Sequence, residues 1–470
     1  MIVLIVLIGA FFRLFKISAF TTFLGEQGRD MLIAKDILAG KLTLLGPPTS
    51  ISDVHFGPFY HYFNALFLCI FKLNPIGPAI GFSLISIISI FLLFQTGKNF
   101  KNQTAGQLSA LLFAFSPLMV EYGRTMFNSY FITGFTIFSL WAISGYFKSQ
   151  KVFWLLLSGL FAGISVQANF LSVGIFFGLL VFLFLEKARF KKIVFLISGF
   201  ILGILPYLIF ELRHKFFNTN AFFSLLGEGK AVGGSLFNYP AKFVSYYFKS
   251  IYFLIGGGSF YLSFFIFILG TIFYLIRTQR KNILFKTVLL FTFLELGVVS
   301  LYPGKMLEHY LGAIYPFIFL LLGLFFQEVF KTKFNYLFKL LFFLLVVSSF
   351  TKIDFQRNHG YGMPENWKMD DVKKAGEIIA NDASGNFNVA AILDGDTRAY
   401  PYRYIIETKG KKPMAVENYP QSDILYVVAG GDGDFVLTYP VWEISSFLPA
   451  NIDNQWLITK EVSVFKLKKI

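Results

Sequence analysis

The chain has 470 residues, 55% of them hydrophobic and only 15% charged, with 63 Phe and a mean hydropathy of +0.62. Soluble domains carry about 25% charged residues, so this composition excludes an ordinary soluble enzyme, a disordered chain and a collagen-like one, and indicates a membrane protein. The net charge of +15 is uneven: residues 1–353 hold 29 basic and 11 acidic residues, whereas residues 354–470 hold 13 and 16. The positive charge sits in short clusters between apolar runs, which suits anionic lipid headgroups and argues against nucleic acid as a partner. The single cysteine, Cys69, can form neither an internal disulfide nor a Cys-based zinc site.

Apolar runs of roughly 17–22 residues, the length a helix needs to cross hydrocarbon, recur through the first 353 residues. They predict spans near 1–17, 78–97, 105–121, 129–147, 152–169, 170–186, 193–211, 255–277, 287–303, 309–328 and 337–353. The run at Met1 has no basic flank and no small-residue cleavage site, and reads as a retained first helix. Residues 55–73 are apolar enough to cross, but parity argues otherwise. If they lie on the outer face, the clusters Lys98/Lys101, Lys148/Lys151, Lys187/Arg189/Lys191/Lys192, Arg277/Arg280/Lys281/Lys286 and Lys331/Lys333/Lys339 all fall on one side. The positive-inside rule makes that side the cytoplasm and gives about eleven spans. Arg13 and Lys16, at the outer end of the first span, run against the rule.

The same topology sorts the carboxylates. Glu186 and Glu328 are cytoplasmic and Glu295 lies within a span, where it reads as structural or lipid-facing. Glu26, Asp30, Asp36, Asp53, Glu121, Glu211, Glu228 and Glu308 gather at the outer face. After residue 353 the pattern changes to a helix over 367–382, strands at 387–393, 423–430 and 458–467, and a helix over 397–410. This is a small α/β domain, 354–470, outside the membrane by parity. No internal repeat appears, and no pair of matched broken helices of the transporter kind.

Candidate chemistry lies on the outer face. Glu26, Arg29 and Asp30 fall within one turn of a helix beginning near residue 25, with the two acids four apart on one face. Two carboxylates flanking an arginine near a low-dielectric boundary can supply a tuned base, or form a solvated first turn favoured by the helix dipole. LGPPTS (45–50) and Gly57-Pro58 predict a compact loop carrying Asp53 and His55, the latter a phosphate ligand or a turn cap. Arg124 in EYGRTMFN (121–128) suits an anionic ligand or a salt bridge to Glu121. Arg213, His214 and Lys215 in ELRHKFFN suit a lipid phosphate or headgroup snorkelling. YPGKMLEHYLGAIYP (302–316) adds Lys305, Glu308 and His309. There is no P-loop, HExxH or GxSxG motif.

Together these segments carry a resemblance. EQGRDMLIAKDILAGKLTLLGPPTS resembles the DQ/DE-x-R-x-x-x-x-A-x-x-x-x-x-G first outer loop of the GT-C glycosyltransferases, a clan that includes the protein O-mannosyltransferase and aminoarabinose-transferase families. HFGPFYHY resembles its H-P-P-L-Y-Y-Y stretch, EYGRTMFN its R-x-x-x-D/N turn, and HYLGAIYP its H/R-Y-x-x-x-x-x-P helix start. The motifs occur in order across residues 1–350. The resemblance implies an α-helical polytopic GT-C-like bundle of about eleven spans with a small extracytoplasmic α/β domain, in the cytoplasmic membrane. It implies inverting transfer of a hexosyl or pentosyl unit from a polyprenyl-phosphate donor to a hydroxyl on a glycan, lipid or protein. Glu26 would be the base with Asp30 beside it, Arg29 would bind substrate, and Arg124, Arg213 and His214 would hold the departing phosphate, backed by His55 and His309. Asn128 stands where several members have Asp, which argues against a metal site; no soluble cofactor is required and a divalent cation is not indicated. A lipid-sugar flippase or transporter, which predicts charges along a mid-membrane path, and a non-enzymatic envelope scaffold or sensor are the alternatives.

Overall fold

The structure, a computed structural model, describes residues 1–49, 54–227, 238–255, 259–276, 283–302, 304–393 and 395–470. Asp53, Glu228, Arg277, Arg280, Lys281 and the glycine runs at 231–235 and 256–258 lie outside the described residues. Helices α1 (Ile2–Leu14), α2 (Ile17–Phe20) and α3 (Gly25–Leu38) open the chain. Next come α4 (Phe59–Ile70), α5 (Ile76–Phe100), α6 (Gln103–Phe115), α7 (Pro117–Tyr122), α8 (Phe131–Ser149), α9 (Phe153–Ala168), α10 (Val173–Leu185) and α11 (Phe190–Arg213). After α12 (Phe217–Gly227) follow α13 (Tyr239–Leu254), α14 (Phe260–Ile276), α15 (Ile283–Ser300), α16 (Tyr315–Val329) and α17 (Asn335–Phe350).

Over its described residues, each apolar run named above is mostly helix. Among the described residues, Ile76–Phe100, Asn128–Ser149 and Phe190–Arg213 are long and apolar enough to cross a membrane by themselves; the other apolar helices are shorter. The expected span 105–121 is broken. Ser116 is extended and Pro117, lacking an N–H, opens α7 instead of continuing α6. Arg13 explains itself at this break. It is fully buried, and its guanidinium donates to Ser86 Oγ (2.7 Å), Gly9 O (3.0 Å) and Ala114 O (3.3 Å). It thus satisfies a carbonyl stranded at the end of α6, a local task that has nothing to do with topology. Glu295 on α15 is also fully buried, packed against Gly174 at the start of α10, so it does not face lipid.

The bundle is organised around α16, which is buried on every side, while α1 and α17 expose Leu7, Phe11, Leu340 and Phe343 outward. A helix apolar all round belongs in a core, and one-sided apolar exposure on the rim suits lipid. α9 and α11 cross closely because glycines face each other: a Cβ on Gly163 would stand 2.5 Å from Phe200 O and 2.9 Å from Gly203 Cα. Small residues four apart on both helices, Gly159/Gly163 and Gly199/Gly203, are what lets two membrane helices approach this way.

The two ends of the bundle differ. Lys101 and Lys331 both pair with Glu328 (3.2 and 3.3 Å), and Lys192 donates to Gln150 Oε1 (3.3 Å), so the ends of α5, α8 and α16 and the start of α11 meet in one basic layer. The opposite end carries the starts of α8, α10 and α16 together with α3.

Beyond α17 lie α18 (Met369–Asp382), β1 (Phe387–Ala391), α19 (Tyr400–Thr408), β2 (Ile424–Gly430), α20 (Gly433–Thr438), α21 (Trp442–Ser445), β3 (Ala450–Leu457) and β4 (Val462–Lys469). The sheet has the order β1-β2-β4-β3, with β1 and β2 parallel and the other pairs antiparallel. Where one strand was expected at 458–467 there is a hairpin, because the turn at 458–461 separates two strands. α19 packs on α3 at the end of the bundle away from the basic layer. Gly28 permits it, since a Cβ there would lie 2.3 Å from Pro401 N. Lys35 pairs with Glu407 (2.9 Å), and the Tyr404 hydroxyl donates to Leu73 O (2.7 Å) just beyond α4. α4 is 12 residues, about 18 Å at 1.5 Å per residue. Its N-terminal end is tied to the same face, where the Gly57 N–H donates to Gln167 O (3.0 Å) beside the start of α10.

Candidate active site

The first turn of α3 is fixed from both sides. The Leu24 N–H donates to Gln27 Oε1 (3.1 Å), and Gln27 Nε2 donates to Met126 O (3.2 Å), so the helix start is tied to the turn before α8. Glu26 and Asp30, four apart, share a face of this helix. There they border a cavity of about 320 Å³, within the size range of small-molecule sites. Glu26, Arg29 and Asp30 form one wall, Pro47–Thr49 and Phe56 a second, and Asn128 with Ser129 a third. Asn169–Leu171 and the segment carrying Leu307, His309 and Tyr310 complete it.

The three charged residues are not equivalent. Arg29 donates from both Nε (3.0 Å) and Nη2 (2.9 Å) to Asp30 Oδ1, and Asp30 is buried. Burial pushes the Asp30 carboxyl up to about 7 although Arg29 pulls it down. Glu26 is exposed to the cavity and makes no hydrogen bond or ion pair among the described residues. Of the two acids, it is the one free to accept a proton. Asn128 donates through Nδ2 to Ala168 O (2.7 Å), leaving its buried Oδ1 without a partner among the described residues. His309 packs edge-on to Phe127 and Tyr310, and burial holds its imidazole down at about 4. It is neutral near pH 7, a hydrogen-bonding group and not a cation.

The expected phosphate-binding cations lie elsewhere. Arg124 is buried on the far side of the 123–130 turn, where Nε donates to Phe12 O (2.7 Å) and the guanidinium sits 4.3 Å from the Phe20 ring centroid. It does not pair with Glu121, which binds Arg357 instead (2.9 Å). Arg213 and His214 are exposed at the end of α11 and do not line the cavity; the His214 ring stacks on Phe210. His55 borders the site through its backbone, its N–H donating to Asn218 Oδ1 (3.1 Å), with only its neighbour Phe56 lining the cavity. The sequence reading missed Lys242. From α13 its Nζ donates to the carbonyl of Tyr302 (3.4 Å), a residue that lines the cavity, although Lys242 itself does not. Lys242 stands alone in a stretch with no expected span, so nothing in its spacing marks it. Among the described residues no group of three or more His, Cys, Asp or Glu is arranged to hold a metal ion.

Residues 55–210 match the family described as dolichyl-phosphate-mannose-protein mannosyltransferase. No curated protein sequence matches the chain. Among solved structures, the fold is similar to ArnT from Cupriavidus metallidurans bound to undecaprenyl phosphate, with a TM-score of 0.64 and 11% identity over 99% of this chain and 97% of that one. It is also similar to the Archaeoglobus fulgidus oligosaccharyltransferase in complex with Zn and sulfate, with a TM-score of 0.55 and 13% identity over 91% of this chain and 67% of that one. The oligosaccharyltransferase AglB of the same organism, in complex with an inhibitory peptide and a dolichol-phosphate, gives 0.53 and 12% over 91% and 68%. The chain thus shares its fold along nearly its whole length with ArnT and with the oligosaccharyltransferases, and residues 55–210 are similar to the mannosyltransferase family.

Proposed function

We propose that the protein is an inverting glycosyltransferase that moves a sugar from a polyprenyl-phosphate donor to an acceptor hydroxyl, with Glu26 as the general base. The observation that carries this reading is the unpaired Glu26 carboxylate facing a cavity whose other lining groups are already engaged or neutral. In the reaction the acceptor oxygen attacks the anomeric carbon from the face opposite the phosphate. The bond from that carbon to the phosphate oxygen breaks, the acceptor proton passes to Glu26, and the polyprenyl phosphate leaves with the bonding electrons. Arg29, held in place by Asp30, faces the growing negative charge, and a preorganised cation in a partly water-excluded site lowers that barrier. Asn128, in the cavity wall, borders the sugar. A likeness to proteins that bind undecaprenyl phosphate and dolichol-phosphate supports the choice of donor.

The cavity lies at the end of the bundle away from the basic layer, and the positive-inside rule would put that layer in the cytoplasm. The reaction is then extracytoplasmic, beneath the C-terminal α/β domain. The test is Glu26→Gln in purified, membrane-inserted protein supplied with radiolabelled polyprenyl-phosphate sugars. Removing a general base costs about 10²–10⁴-fold, so transfer should fall at least a hundredfold while expression and insertion persist. Transfer at the wild-type rate would reject Glu26 as the base.

A further inference from the structure

A second cavity, of about 350 Å³, backs onto the first. The two share walls. Tyr130 and Glu308 line the second while their chain neighbours Ser129 and His309 line the first. Its remaining surface comes from α7, from Arg124, and from residues 352–361, the segment joining α17 to the C-terminal domain. Lys352, Arg124 and Arg357 are matched by Glu121, Glu308 and Asp354, so the lining carries no net charge.

Most of these charges are already committed. Arg357 Nη2 donates to both oxygens of Glu121 (3.1 and 2.9 Å), and Asp354 Oδ1 accepts from the backbone N–H groups of Gln356 and Arg357. Three charged groups are left over: Lys352, which has no side-chain partner among the described residues, Arg124 and Glu308. Arg124 is only 1% exposed, yet its Nη2 has no partner among the described residues. The Glu308 carboxyl is raised above its ordinary range, first by burial and then by Glu121 beside it. Two tyrosines complete the surface. Tyr130 is stacked on Tyr122 with ring centroids 3.8 Å apart, and Tyr361 is 62% exposed at the mouth.

A phosphate would meet Lys352 and Arg124 here, but beside the carboxylates of Glu121, Glu308 and Asp354, which repel an anion. A neutral ligand carrying many hydroxyls would find what it needs: carboxylate oxygens to accept from it, a guanidinium to donate to it, and aromatic faces for its C–H surfaces. We infer that this second cavity binds a carbohydrate, and that the acceptor of the proposed transfer is a glycan held there by Arg124, Glu308, Tyr130 and Tyr361. The inference rests on the proposed function for the word acceptor, but the binding itself can be measured without donor.

The test uses the full-length protein in lipid nanodiscs with tetrasaccharides of mannose, glucose and N-acetylglucosamine, read by saturation-transfer NMR. Wild type should bind at least one of them. Tyr361→Ala, a change at an exposed side chain that leaves the fold intact, should weaken that binding at least fivefold, and Glu308→Gln should weaken it too. Glu26→Gln should bind the sugar as wild type does, so loss of catalysis and loss of glycan binding are read separately. If none of the three sugars binds, or if Tyr361→Ala and Glu308→Gln bind as wild type does, the inference is overturned. Displacement of the bound sugar by a short-chain polyprenyl phosphate would also overturn it, by assigning the cavity to the donor.

Discussion

At the scale of single residues, the site turns on how one helical turn divides two carboxylates. Glu26 and Asp30 share a face, yet Arg29 takes Asp30 and leaves Glu26. Asp30 is consequently the titrating group with the clearest linkage to stability. Its folded value, about 7, lies above the ordinary 3.8, so the native state binds the proton more tightly than the unfolded chain. Stability contributed at this position is therefore present at low pH and lost as pH rises from about 4 to about 7. Asp30→Asn, which mimics the protonated form, removes that dependence. The melting temperature of wild type relative to Asp30→Asn should fall by several degrees across this window, measured in nanodiscs by differential scanning fluorimetry. A gap that stays flat or widens would mean that pairing with Arg29 outweighs burial. Residue identity and spacing were enough to single out Glu26, Arg29 and Asp30, because the helical period alone puts the two acids together. They were not enough for Arg124 or Arg213. An arginine reaches far along a flexible stem, and whether it meets a ligand, a carbonyl or solvent is set by which chain segments pack around it.

At the scale of elements, helix positions followed from apolar length, but helix contacts did not. The α9–α11 crossing depends on glycines at four-residue spacing, and α9 leads directly into Asn169–Leu171, which line the cavity. Gly163→Leu would drive its side chain into the backbone of Phe200 and Gly203. Overpacking of this kind costs about 1–3 kcal/mol, which for a large chain is a melting temperature lower by about 2–4 °C per kcal/mol. Gly163→Leu should insert normally but melt lower, with reduced transfer; an unchanged melting temperature would mean that α11 can shift without cost. The glycine spacing was visible in the sequence, as was Pro117, which ends α6 early. The 16-residue helix α13, with Lys242 on it, escaped because its apolar residues are interrupted by lysines and tyrosines and it does not read as a span.

At the scale of the whole molecule, α3 is the shared component: one face borders the cavity and the other carries α19 of the C-terminal domain. Docking at Gly28 and Lys35 therefore supports the helix that carries Glu26. Gly28→Val would place a branched side chain inside the space of Tyr400 and Pro401. The domain should then lift from α3, seen as faster proteolysis between residues 352 and 368, and transfer should fall although no lining residue has changed. Intact protease resistance together with full activity would show that the two units work independently.

By itself the sequence determined that this is a helical membrane protein with one basic end, a small α/β domain after residue 353, and a charged first turn at residues 26–30. Those properties follow from local length, period and charge, which a chain carries wherever it folds. Tertiary structure alone decided that Glu26 stays unpaired while Asp30 does not, that Arg124 belongs to a second cavity, and that Lys242 binds the carbonyl of Tyr302. Each of these depends on which side chains from distant segments compete for the same polar atom, and that competition exists only once the helices have packed.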